Sequence, residues 1–185
     1  MTLADIYSKI AAHMVEGIMV HEQLMNCYRF FGLEGYAKCH EYHYLSETKG
    51  YIRLCKYFMD HHRGLIKVTE QRIPDIIPNS WYECKKDDMT TEVLTQGVRA
   101  AFSEWVSWEE ETLKLYESLR TELISIGEIA SALFMEEFIR DVDDELSFAK
   151  EERLKKSAIA FDMVSIFEEQ EAAEKDYSKR LRKLW

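Results

Sequence analysis

Along the stretch from Gly35 to His62, steps of alternately four and three residues pick out Tyr36, His40, His43, Glu47, Gly50, Leu54, Tyr57 and His61. Residues at that spacing share one face of a helix, the face that turns towards neighbouring helices in a bundle. Two histidines and a glutamate stand in the middle of the stripe, where Leu or Ile would ordinarily be. Burying such groups costs on the order of several kcal/mol unless they are paired, hydrogen-bonded or bound to a cation. Imidazole nitrogens and carboxylate oxygens are ligands for first-row metal ions, so the chemistry open to this stripe is cation binding. Other segments carry groups of the same kind. His13, Glu16 and His21 lie on the first amphipathic stretch, Glu109 lies within WEEE, and RDVDDE places Asp141 and Glu145 one turn apart.

The elements that must position these groups are all helical. Only two prolines and seven glycines occur in 185 residues, and long 3.6-period stretches dominate, so the expected class is all-α. A first helix begins after Thr2, with Asp5 three residues on as a near capping box, and runs to about Phe31. Its apolar face is Ile6, Ile10, Met14, Gly17, Val20, Leu24 and Phe31, with His13 and His21 on the edge. Gly17 is expected to mark the close approach of another helix. The short FGLEG connection folds the second helix back antiparallel, and Gly64 is the expected C-cap after Arg63. The segment from Leu65 to Met89 lacks helical period and holds both prolines. Its Ile73, Ile76, Ile77 and Trp81 are expected to pack on the surface. A third helix starts at Thr90 or Thr91, turns Trp105, Trp108 and Thr112 inward, and ends before Ser125 to Gly127. The fourth presents Ile129, Met135, Phe138, Val142, Glu145 and Ala149. A last helix, about residues 157–185, is amphipathic with a basic end. Two antiparallel pairs joined by one long crossover make an up-down-down-up four-helix bundle. The chain reads as one domain, 1–185, with the bundle over about 3–154 and an extra C-terminal helix.

The formal net charge of −10 argues against general affinity for nucleic acid or an anionic membrane; it suits a protein that handles cations. The four cysteines form no CxxC pair and read as reduced thiols in a cytoplasmic protein. The N-terminus lacks the basic region of a signal peptide, and no apolar run approaches membrane-spanning length.

FGLEGYAKCHEYHYLSETKGYIRLCKYFMDHHRG resembles the turn and second helix of ferritins, in which a glycine-led helix carries Glu-x-x-His and ends near Arg-Gly. IPDIIPNSW resembles part of the ferritin crossover. The resemblance spans about residues 5–150 and is clearest from Phe31 to Gly64. It implies a ferritin-like bundle with a di-iron centre at mid-height that oxidises Fe(II); the ferritins proper store the oxide within a hollow shell of subunits. Carried over residue by residue, the second-helix glutamate falls on Glu47, but the histidine three residues later falls on Gly50. The first-helix glutamate falls near Met14, with His13 and Glu16 the nearest replacements, and the tyrosine of that helix falls near His21. The third-helix glutamate falls near Glu109. The fourth-helix position falls near Glu145, with Val142 where a second ligand would often lie. The implied metal ligands are His13, His43, Glu47, Glu109 and Glu145, with iron as cofactor, Fe(II) as partner and a homo-oligomer as assembly; no separate catalytic residue is assigned. The alternative is a bundle that has lost its centre, with Glu47 paired to a histidine or arginine and Trp105 and Trp108 filling the middle. Three function classes stay open: iron binding and oxidation with possible storage, a metal-free structural or interaction bundle, and miniferritin-type DNA protection.

Overall fold

The computed structural model describes residues 1–69, 77 and 79–184, with Asn79 and Ser80 described by their backbone alone. Ile73, Ile76 and both prolines lie outside the described residues. The chain forms α1 (Leu3–Phe30), α2 (Glu34–His62), α3 (Asn79–Glu83), a 3-10 turn (Lys86–Asp88), α4 (Thr91–Ser125), α5 (Ile129–Ala158) and α6 (Met163–Leu184). Helices α1 and α2 form one antiparallel pair, and α4 and α5 the other. α1 faces α4 across the bundle, and α6 lies along α2. The described residues include no strand, and the architecture is the all-α, up-down-down-up four-helix bundle with one long crossover and an added C-terminal helix.

Local chemistry sets the helix ends. Thr2 and Asp5 cap α1 reciprocally, the Thr2 amide donating to Asp5 Oδ2 at 2.9 Å and the Asp5 amide to Thr2 Oγ1 at 3.2 Å. Thr90 Oγ1 accepts from the Val93 amide at 3.3 Å and starts α4. At the end of α2 the expected Gly64 cap is replaced by Arg63 itself, which takes the left-handed conformation (φ 50°) and donates its amide to the Met59 carbonyl. The boundary before the last helix also moves. α5 runs past 154 to Ala158, and α6 begins at Met163, where Asp162 Oδ2 accepts from the Ser165 amide. Ile159, Met163 and Ile166 keep a helix-like spacing straight across this break, so periodicity alone does not reveal it.

The apolar core is in two parts. One packs around Tyr28, Phe102 and Trp105 and takes in Met163, Ile166 and Tyr177 of α6. The other packs around Ile6, Leu54, Tyr116 and Phe138. On α2, α4 and α5 the polar residues of interest fall between the two parts, and on α1 His21 lies at the edge of the first, next to Val20. On α2 they lie between Cys39 and Leu54, on α4 between Trp108 and Tyr116, and on α5 between Val142 and Leu146. The sequence therefore builds a polar layer across the middle of the bundle.

The crossover and α6 are fastened by glycines. Trp81, expected to pack onto the bundle, is 6% exposed and lies against Gly97, where a Cβ would fall 1.4 Å from its Cζ2. Ile77 is likewise buried. At Gly35 a Cβ would fall 2.2 Å from the Gln170 carbonyl oxygen, so α2 and α6 touch backbone to backbone. The Gly35 amide donates to Gln170 Oε1 at 3.1 Å, and Lys38 Nζ reaches Glu174 at 2.9 Å. Gly17 differs from its expected role. Its nearest neighbours are the side chains of Trp108 and Glu47, at 3.4 and 3.6 Å from a Cβ built there, so the approach is by side chains of α4 and α2.

Candidate metal centre

Four helices contribute to the polar layer. α1 brings His21, which is fully buried, and α2 brings His40 and His43, both buried, with Glu47 half-buried. On α4, Trp105, Glu109 and Thr112 follow one another at four- and three-residue spacing, so Glu109 points inward with 1% exposure. That settles the helix register, because Glu110 and Glu111 then face outward. α5 brings Glu145, half-buried.

One nitrogen of His21 and one oxygen each of Glu109 and Glu145 lie within 4.8 Å of one another. His21 Nε2 is 3.6 Å from Glu109 Oε1, too far for a hydrogen bond, and has no hydrogen-bond partner. Its other nitrogen, Nδ1, is 3.1 Å from His40 Nδ1. Trp105 Nε1–H donates to Glu109 Oε1 at 3.1 Å. His43 Nδ1 is 3.0 Å from Glu145 Oε1, but its alignment is poor and neither ring nitrogen makes a directed hydrogen bond. Buried polar atoms are nearly always partnered, so unpartnered nitrogens on two adjacent buried histidines mark this layer as a site.

The charges in the layer bear on one another. Burial pushes Glu47 up to about 8, with the nearby Glu145 adding to the shift and His43 opposing it. Glu109 is held well above the ordinary carboxylate range, first by burial and then by Glu145 and Glu47, against His43 and the Trp105 hydrogen bond. Burial, reinforced by His43 and His40, holds His21 well below the ordinary imidazole value. Burial opposes charge on His43 as well, but Glu145 and Cys39 together outweigh it and His43 lies well above that value. Three carboxyls converge here on little positive charge, which is the electrostatic setting a divalent cation relieves.

His13 stands apart. Thr112 Oγ1 donates to the Trp108 carbonyl, so it accepts from His13 Nε2–H at 2.8 Å. The His13 ring stacks on Trp108 at 4.5 Å and 12°. Burial pushes His13 down to about 4, although Glu16 Oε2 lies 3.6 Å from Nδ1. At the lower end of α2, His61 is exposed and stacks on Tyr57, whereas His62 is half-buried with Nε2 3.2 Å from Ser131 Oγ.

The sequence matches no family model and no curated protein. Solved structures do match along nearly the whole chain. A humanized archaeal ferritin superposes with a TM-score of 0.75 at 13% identity, covering 92% of this chain and 94% of that one. An open-pore ferritin from the hyperthermophilic archaeon Archaeoglobus fulgidus gives 0.75 at 13% identity, covering 92% and 93%. A PmFTN variant soaked in iron gives 0.73 at 12% identity, covering 92% and 98%. The chain has a ferritin-like fold.

Within this ferritin-like bundle, the positions that the resemblance assigns to metal ligands divide into two places. Met14, Gly50 and Val142, which replace expected ligands, all line a cavity of about 170 Å³ together with Glu47, Tyr116, Phe138 and Glu145. A Cβ on Gly50 would meet Phe138 at 3.5 Å and Met14 at 3.9 Å, so that side of the cavity is apolar, while Ser46, Lys49, Arg53 and Asp141 line it as well. His21, Glu109 and Glu145 form the second place. These three residues thus offer nitrogen and oxygen donors for one first-row ion; around the cavity the carboxylates are Glu47, Asp141 and Glu145, and no imidazole lines it. His21 was not among the ligands implied by resemblance. Its signal was present in the sequence, because Met14, Gly17, His21, Leu24 and Tyr28 follow the same three-and-four spacing as the second-helix stripe.

Proposed function

We propose that this ferritin-like chain binds Fe(II) at mid-bundle through His21, Glu109 and Glu145, as an iron-handling protein. The observation that carries this reading is the buried, unpartnered Nε2 of His21 grouped with one oxygen each of Glu109 and Glu145. The fold shared with ferritins supports iron as the physiological ion, and mixed imidazole and carboxylate donors suit it chemically. Oxidation of the bound Fe(II) and self-association into a larger particle belong to the same proposal.

Protein loaded anaerobically with Fe(II) and desalted is expected to retain iron by elemental analysis and to lose it in Glu109→Gln. Admitting air then reads out oxidation as growth of ferric absorbance, and native mass reads out assembly. Protein that retains no iron, with folding intact, contradicts the proposal. That result favours the second reading, a structural bundle, for which the buried Trp105 and Trp108 and the replacement of ligands by Gly50 and Val142 are the supporting observations.

A further inference from the structure

We propose that the centre is a single-ion site with three protein ligands, His21 Nε2, Glu109 and Glu145, whose fourth side opens on the cavity over Glu47. This deepens the metal-binding reading above and rests on it.

The first support is geometric. A tetrahedral ion with bonds of about 2.0–2.2 Å keeps its ligand atoms roughly 3.3–3.6 Å apart. His21 Nε2 and Glu109 Oε1 stand 3.6 Å apart, and Glu145 falls within 4.8 Å of both, so a small side-chain rotation closes the set.

The second support is the shell around it. Ligands of a built metal site are oriented by groups that hold their other atoms. His21 has such a partner on its other nitrogen, whereas Glu109 is held at the same Oε1 that faces His21, and Glu145 is faced by a buried imidazole without a directed hydrogen bond. His40 Nδ1 meets His21 Nδ1 at 3.1 Å, Trp105 donates to Glu109 at 3.1 Å, and His43 faces Glu145 at 3.0 Å. If the His21 proton sits on Nδ1 and is donated to His40, Nε2 presents its lone pair to the carboxylates. Without a cation that lone pair has no partner, and with one the three groups form a ligand set.

The third support is the cavity. Three protein ligands leave one position of a tetrahedral site for an exogenous group. Glu145 belongs to both the ligand group and the cavity wall. Tyr116 also lines the cavity, and its buried hydroxyl has no protein partner. Lys49 and Arg53 line it as well. A solvent molecule or small anion fits that opening. A second ion would find the carboxylates of Glu47, Asp141 and the shared Glu145 but no imidazole, and Lys49 and Arg53 on the same wall offset those carboxylates.

Co(II) is the probe, because its visible absorption reports both coordination and stoichiometry. Anaerobic titration of the whole protein is expected to saturate at one Co(II) per chain with intense bands of low coordination number. Azide is expected to shift those bands. His21→Ala is expected to abolish them, and Glu145→Gln, at a half-exposed position, serves as the second ligand variant if His21→Ala fails to fold. His13→Gln is expected to keep one equivalent. Saturation at two equivalents, or loss of binding in His13→Gln, overturns the single-ion site while leaving metal binding intact. Bands insensitive to azide overturn the open fourth side. Retention of neither Co(II) nor Fe(II) by folded protein removes both this inference and the reading beneath it.

Discussion

Replacing Trp105 with Phe tests how the protein holds Glu109. The indole is 1% exposed, and its N–H donates to Glu109 Oε1 at 3.1 Å. Phe keeps an aromatic ring beside His40, whose centroid is 4.7 Å away, but removes the donor. Without an ion, burial favours the protonated, neutral form of the Glu109 carboxyl. The lost bond is then one between neutral groups, worth about 0.5–1.5 kcal/mol, and the smaller ring adds about 1 kcal/mol for the space it leaves. With an ion bound, Glu109 is ionised and the same bond is worth about 1.5–3 kcal/mol. The difference, about 1–2 kcal/mol, falls on binding, so metal affinity should drop about tenfold. The stability loss of about 2 kcal/mol in the metal-free form should lower Tm by roughly 4–8 °C in a chain of this size. Co(II) titration and thermal melts of metal-free and loaded protein measure both. A Tm loss of that size with affinity unchanged would show that Trp105 is core packing only and refute its role in orienting Glu109.

Restoring the missing imidazole with Gly50→His places a nitrogen donor beside the carboxylates of Glu47, Asp141 and Glu145 in a cavity with room for its Cβ; bound metal per chain should rise from one to two by elemental analysis, with Tm unchanged or slightly higher. Gly97→Ala drives a methyl group into the Trp81 ring. It should destabilise the protein by about 1–3 kcal/mol, as overpacking does, and urea unfolding should show it together with faster proteolysis in the crossover. His13 should make the protein acid-sensitive. Its folded value of about 4 lies below the ordinary imidazole value near 6.5, so the unfolded chain takes up its proton first. The stability it protects is complete above about pH 6.5 and is lost as pH falls towards 4. At pH 5 the loss is about 2 kcal/mol, read as the difference between the parent and His13→Gln in urea midpoints at pH 7 and pH 5.

The fold was legible because its signals are local and repeated. Capping by Thr2 and Thr90, the short turn at Phe31 to Gly35 and the long segment before Thr91 together define two hairpins and a crossover. The stripe on α2 was legible over His40, His43, Glu47 and Leu54. It then drifted, because a straight helix turns every 3.6 residues and a step averaging 3.5 falls behind by about 20° per heptad. By the last turns Phe58 is the buried residue, and His61 is exposed. The grouping of His21 with Glu109 and Glu145 was less legible. It depends on which helices face each other and at what height, information carried by the Gly17–Trp108 contact and by the docking of α6, not by spacing within any one helix. His13 shows the reverse case. Its spacing from the core face is favourable for a ligand, yet Thr112, one turn from Glu109 on α4, engages it first.

Crystals grown with Fe(II) or Co(II) under anaerobic conditions test the central claim most directly, through an anomalous difference map collected at the metal edge. A single peak per chain, within bonding distance of His21 Nε2, Glu109 and Glu145, is the predicted result. A peak in the cavity between Met14, Gly50 and Val142, a pair of peaks, or none in protein shown to be metal-saturated in solution would contradict it.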